Sequence, residues 1–268
     1  MKRIATLAAL LIAGAAQSTL NPTYMNTGKI AGVLLGEAAG TQGFTGNFTF
    51  SLAGLPVGAV TLQAYLYASE FVFIPNATAT FANTNLGNAS AYSTDNTFWT
   101  YRWNVTNLVN GNAQYGAFIQ GPMQLYGSAL AVVYTHPTLP MATVGINDGA
   151  HELGENANTE SGNTQFAGWQ PGSGRLSVFT VGDDPAASGE TVDFNSVNVG
   201  GPLNGNLGSH ASLLNMGVNI QAGSNTVQMT TRGDWLGWQV AMLQVVPEPA
   251  TLCALGLGAL AMMRRKRA

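Results

Sequence analysis

Five short blocks of this sequence recur in the same order more than a hundred residues further on. Gly46-Asn47-x-x-Phe50 returns as Gly162-Asn163-x-x-Phe166, and Leu62-x-Ala64-Tyr65-x-Tyr67 as Leu176-x-Val178-Phe179-x-Val181. Thr78-x-x-Phe81 with Asn85-Leu86-Gly87 returns as Thr191-x-x-Phe194 with Asn198-Val199-Gly200. Val105 and Asn112 match Val218 and Asn225, and Gly127-x-x-Leu130-Ala131-Val132-Val133 before Pro137 matches Gly237-x-x-Val240-Ala241-Met242-Leu243 before Pro247. The separation drifts only from 116 to 110 residues. Self-similarity at a near-constant spacing signals a repeated structural unit. Such a chain folds as two like modules, or as two like halves of one body.

The repeated unit reads as β structure. Val60–Tyr67, Leu130–Tyr134 and Leu176–Val181 are short, rich in β-branched and aromatic residues, and bounded by Gly or Pro. Between the two ends no stretch sustains the 3.6-residue apolar period of a helix. The expected fold is all-β: two similar antiparallel β-sandwich units in tandem, 30–140 and 141–246, each about the size of one small sandwich. A linker is expected over 17–29.

Charge narrows the function. From Gln17 to Val246 the basic residues are Lys29, Arg102, Arg175 and Arg232, against twelve acidic ones. A body that acidic lacks the clustered Lys and Arg that neutralise phosphates, so no nucleic-acid partner is expected. The one cysteine, Cys253, lies near the end of the chain, so neither a disulfide framework nor a thiolate site is expected in the body. The core must hold the fold.

The two ends read as export signals. Met1-Lys2-Arg3, an apolar run from Ile4 to Ala16 and the small residues Ala13 and Ala15 make a signal peptide over 1–16, folded as a helix. At the other end, Pro247-Glu248-Pro249 precedes the apolar run Ala250–Met263, then Arg264-Arg265-Lys266-Arg267. As a helix that run covers about 21 Å, short of the ~30 Å hydrocarbon core. It therefore suits a transient inner-membrane stay, with the four basic residues as a stop on the cytoplasmic side. The prolines keep the preceding stretch extended and open to a protease.

Val246-Pro247-Glu248-Pro249-Ala250-Thr251, the short apolar helix and the basic end resemble the PEP-CTERM sorting signal of Gram-negative bacteria. That resemblance implies handling over 247–268: passage across the inner membrane, cleavage near Pro247-Glu248-Pro249 by an exosortase-type membrane protease, and release to the cell surface or extracellular matrix. It also implies a setting in biofilm-type exopolysaccharide. The body resembles an uncharacterised β domain of archaeal and bacterial surface proteins, through Val105-Thr106-Asn107-Leu108-Val109, Ile146-Asn147-Asp148-Gly149 and Gly233-Asp234.

Catalytic motifs are sparse. His151-Glu152 begins like a zinc-protease motif, but residue 155 is Glu where the second His belongs. Gly172-Ser173-Gly174 lacks the spacing of a nucleophile elbow. The chain is therefore expected to be non-enzymatic, with a structural or adhesive role among extracellular polysaccharide. Two alternatives stay open. Trp99, Tyr101 and Trp103 alternate on one strand face and could form a sugar platform, although burial in the core is the commoner fate of such rings. Asp148 with Glu152, and Asp183 with Asp184, could gather oxygen ligands for Ca²⁺, although Asn-Asp-Gly is also a strong turn former. A glycoside hydrolase would need two facing carboxylates in a cleft.

Overall fold

A computed structural model describes residues 20–247, apart from 72–76, 96, 155–158, 184–188 and 209. The described chain is mostly strand, and its one helical element among the described residues is a 3-10 turn at Thr106–Leu108. The strands are β1 (Asn21–Gly28), β2 (Ile30–Leu52), β3 (Val60–Phe71), β4 (Thr78–Phe81), β5 (Thr84–Asn88), β6 (Ala91–Asp95), β7 (Phe98–Asn104) and β8 (Ala113–Thr135). They continue with β9 (Ala142–Leu153), β10 (Thr159–Trp169), β11 (Gly172–Val181), β12 (Thr191–Phe194), β13 (Val197–Gly200), β14 (Ala211–Ile220), β15 (Gly223–Arg232) and β16 (Leu236–Pro247). The expected signal helix and tail helix lie outside the described residues, within which no helix is long and apolar enough to cross a membrane.

In the first half, β2 and β8 pair antiparallel along their whole length, from Ile30↔Thr135 to Leu52↔Ala113. Register breaks between Ala38 and Thr45 bend this long ribbon, as bulges do. Its two arms then serve different layers. The early part of β8 pairs with β4, which pairs with β5. The late part pairs with β3, followed by β7 and β6. The space between the layers is filled by Phe50, Leu66, Phe81, Tyr101, Trp103, Ile119 and their neighbours.

The second half uses the same pairing order with the ribbon cut. There β9 and β10 stand where β2 runs unbroken, and β15 and β16 where β8 does. One layer runs β10-β15-β12-β13, and the other β9-β16-β11-β14. Between them lie Phe166, Trp169, Leu176, Val178, Phe194, Trp238 and Leu243. The span 17–29, expected as a linker, instead contains β1, which adds to the edge of β9 from Asn21↔Asp148 to Gly28↔Ala142. That correction has a simple cause. An open β9 edge would expose unpaired backbone groups, and the chain before β2 is long enough to cover it.

A third core joins the halves. In β8, Leu130 and Val132 face their own sandwich, while Ala129, Ala131 and Val133 face the other half. In β16, Ala241, Leu243 and Val245 face inward, while Val240 and Met242 face β8's half. These strands are buried on both faces, which is why they read as apolar runs and not as alternation. Close approach needs small residues on β2. A β-carbon on Gly32 would lie 2.8 Å from the Met242 sulfur, and one on Gly36 2.9 Å from the Phe179 ring. The free edge of β2 is also capped from the other half. Gly32 N–H donates to Gln244 Oε1 at 3.0 Å, and Arg175 Nη2 donates to the Gly32 carbonyl.

A candidate functional site on the seam

The apolar third core ends in a polar seam where β7 of the first half faces β9 of the second. Strand alternation decides which side chains reach it. In β7, Trp99, Tyr101 and Trp103 take one face, so Phe98, Thr100 and Arg102 take the other. Arg102 Nη1 lies 2.7 Å from Asp148 Oδ2 and 2.9 Å from Oδ1. Tyr67 OH donates to Asp148 Oδ2 at 2.7 Å, and Thr23 Oγ1 donates to Oδ1 at 2.6 Å. The Arg102 guanidinium carbon also sits 5.0 Å from the centre of the Tyr65 ring. Burial works against the Arg102 charge, but Asp148 outweighs it and holds the guanidinium pKa above its ordinary value. Burial, then the same carboxylate, pushes the Tyr67 hydroxyl well up.

Beside this ion pair is a cavity of about 250 Å³, lined by Asn21, Thr23, Tyr67, Tyr92, Ser93, Thr100, Arg102, Asp148 and their neighbours. Both halves and β1 build it. Thr100 is 3% exposed, and its Oγ1 has no hydrogen-bond partner among the described residues. Tyr92 is 56% exposed and stacks on Trp99 with ring centres 5.4 Å apart.

A second polar knot lies further along β9. Glu152 Oε2 accepts from Thr97 N and Thr97 Oγ1, each at 2.8 Å, while Oε1 accepts from Trp235 Nε1 at 2.7 Å. Its neighbour His151 Nδ1 lies 2.8 Å from Asp95 Oδ2. Both knots cross between the halves.

The expected site residues fall out as follows. Trp99, Tyr101 and Trp103 do share one face, but that face is the core. They are 6%, 1% and 2% exposed, with neighbouring ring centres 6.3 Å apart. The sugar-platform alternative for this trio is thereby corrected, because the rings pack into the core of the first half. Trp103 Nε1 satisfies itself on the Gly87 carbonyl at 3.1 Å. Asp148 and Glu152 spend their oxygens on partners from β1, the first half and Trp235. Asp183 is buried, accepts from Ser212 Oγ and from Gly205 N, and has its pKa pushed by burial up to about 6. No group of three or more His, Cys, Asp or Glu is arranged to hold a metal among the described residues. Pro247 ends β16 opposite Gly172. Asp184, Glu248, Pro249, Arg264, Arg265, Lys266 and Arg267 lie outside the described residues.

Sequence reasoning missed Arg102, Tyr67 and Thr100. One signal was available. Arg102 interrupts an alternating aromatic run, so it must point away from the rings, and a cation between two sheets needs a carboxylate partner.

Over residues 245–267 the chain matches the PEP-CTERM protein-sorting motif. It is thus an exported β protein bearing a signal that exosortase recognises. Over residues 19–246 it matches the family described as Protein of unknown function (DUF3344), and it belongs to that family. No curated protein matches it. Among solved structures it is similar to the conserved protein of unknown function PA5104 from Pseudomonas aeruginosa PAO1, at 8% identity and a TM-score of 0.27, covering 82% of this chain and 79% of that one. It is also similar to the β-porphyranase BpGH86A from Bacteroides plebeius, at 14% identity and a TM-score of 0.26, covering 86% of this chain and 37% of that one. Likenesses this low carry no argument about activity.

Proposed function

We propose that this is a non-enzymatic protein of the cell surface or extracellular matrix, cleaved from its tail by exosortase and serving a structural or adhesive role among exopolysaccharide. The sorting motif at 245–267 carries the reading. It begins on the last residues of β16, so the signal starts where the body ends. The repeated pairing order supports taking the body as two copies of one sandwich, fused face to face. A matrix component must persist outside the cell without disulfides, and a doubly buried third core suits that demand. The membrane stay is transient in this reading, and the final location is the surface or the matrix.

The test is expression in a Gram-negative host with and without its exosortase. Loss of the tail and release to the surface only when the enzyme is present supports the proposal. Identical tail size and location in both strains sinks it.

A further inference from the structure

We propose that a second cleft between the halves, where Arg175 faces the free edge of β2, binds one uronate, a sugar ring that carries a carboxylate. The proposal deepens the matrix reading by naming the ligand class, and rests on that reading for the source of the ligand.

The pairing of β11 with β16 builds one wall. Ser173 pairs with Val246 and Arg175 with Gln244, so these four side chains share one face. That face meets β2. Gln244 Oε1 accepts from Gly32 N at 3.0 Å, and Arg175 Nη2 donates to the Gly32 carbonyl. The cavity at this contact holds about 550 Å³ and is lined by that face, by residues 31–33 and by Tyr134 of β8. Its volume lies within the ~300–1,000 Å³ range of small-ligand clefts.

Charge selects an anion. Arg175 is the only charged residue in the lining, and it forms no ion pair with the described residues. Acidic residues outnumber basic ones three to one between Gln17 and Val246, yet none is placed against this arginine. Of its five N–H donors only those on Nη2 are engaged. Burial raises the Tyr134 hydroxyl pKa and Arg175 works against that rise, so the two groups are within electrostatic reach of each other.

The rest of the lining selects the kind of anion. A lone guanidinium balances one negative charge, and its planar fork matches a carboxylate. A phosphate dianion would keep one charge unmatched. A peptide would need backbone partners on the strand edge, and the outward N–H and carbonyl of Gly32 are already taken by Gln244 and Arg175. What surrounds the cation suits hydroxyls. Gln244 Nε2 is left to donate, and the Ser173 and Tyr134 hydroxyls make no hydrogen bond to the described residues. Hydroxyls that donate and accept match those of a sugar, which do both. A carboxylate and several hydroxyls on one ring define a uronate.

The test is calorimetric titration of the exported protein, purified from its host, with glucuronate and galacturonate, beside glucose, acetate and inorganic phosphate. One of the two uronates is expected to bind one-to-one, more tightly than all three controls, and more weakly as salt rises. Arg175→Gln is expected to weaken that binding about ten- to a hundredfold, the loss of a charge-assisted hydrogen bond. Because this change also uncaps Gly32, Tyr134→Phe is the second variant. It keeps the ring, and is expected to weaken binding about fivefold with an unchanged melting temperature. The proposal is overturned if neither uronate binds, if any control binds as tightly, or if affinity ignores both substitutions. Titration in solution does not involve the tail, so each of these outcomes leaves the exosortase experiment to judge the sorting reading separately.

Discussion

Tyr67 and Asp148 are 81 residues apart in sequence and 2.7 Å apart in space, the tyrosine hydroxyl donating to the carboxylate across the seam between the two halves. The same carboxylate is shared with Arg102, so a residue in β9 depends on β3 and β7 of the other half for its solvation. Removing one partner is then worse than removing both. Asp148→Ala should lower unfolding free energy by about 3 kcal/mol, because Arg102 is left half-buried without its counter-charge. Tyr67→Phe should cost about 1–2 kcal/mol, as Asp148 keeps its other partners. In urea unfolding, the Arg102→Ala, Asp148→Ala double variant should be less destabilised than the sum of its single variants. Additive losses would mean that the pair is not coupled.

Glu70 gives the protein a dependence on pH. The side chain is fully buried on the core face of β3, near Tyr101, and burial raises its pKa to about 8. A β-carbon at Gly121 would fall on its carboxyl, so the chain leaves room for this group. The folded state holds the proton more tightly than the unfolded chain, whose carboxyl titrates near 4.5. Stability is therefore full below that value and is lost as pH rises towards about 8, by at most ~1.4 kcal/mol per pH unit. Asp183 acts in the same direction over the lower part of the range, from 3.8 to about 6. Above that only Glu70 of these two still titrates, so Glu70→Gln should flatten the fall in melting temperature between neutrality and mild alkali. A fall unchanged by the substitution would assign it to other groups.

Much of the fold is legible in the sequence, and particular residues show where legibility stops. The repeat blocks align Phe50 with Phe166 and Phe81 with Phe194, and all four rings face the core of their own half. Tyr65, Tyr67, Phe179 and Val181 align as well, and all turn toward the other half. The last block does not hold. It equates Leu130 with Val240, yet Leu130 faces its own core and Val240 the seam. A slip of one residue reverses every side chain, and a bulge between Trp238 and Val240 supplies it. The aromatic trio is legible as one face of a strand, but not as the buried face, because periodicity carries no sign. The seam cavity is not legible at all. Its residues come from five strands, and only the docking of two sheets brings them together.

Trp103→Ala separates a core tryptophan from a ligand-binding one. Trp103 is 2% exposed and packs beside Tyr101. Its truncation should cost about 3–5 kcal/mol by chemical denaturation, through lost burial and the cavity left behind. A loss below about 1 kcal/mol would mean that the ring is not the core element its burial implies.

The third core can be tested by size alone. Gly36 on β2 sits against Phe179 on β11, and a β-carbon at 36 would lie 2.9 Å from the Phe179 ring and 2.9 Å from a Leu207 methyl. Both neighbours are side chains, so the clash can be relieved by making one smaller. Gly36→Ala should overpack the junction and cost about 1–3 kcal/mol. Phe179→Leu alone should cost about as much, by underpacking the same place. Combined, the added methyl fills part of the space the ring vacates, and the double variant should be more stable than the two losses predict. Residues in contact couple in this way, whereas distant ones add. Strict additivity would mean that the halves already yield around residue 36, and that the contact between the two sheets is looser than their buried faces imply.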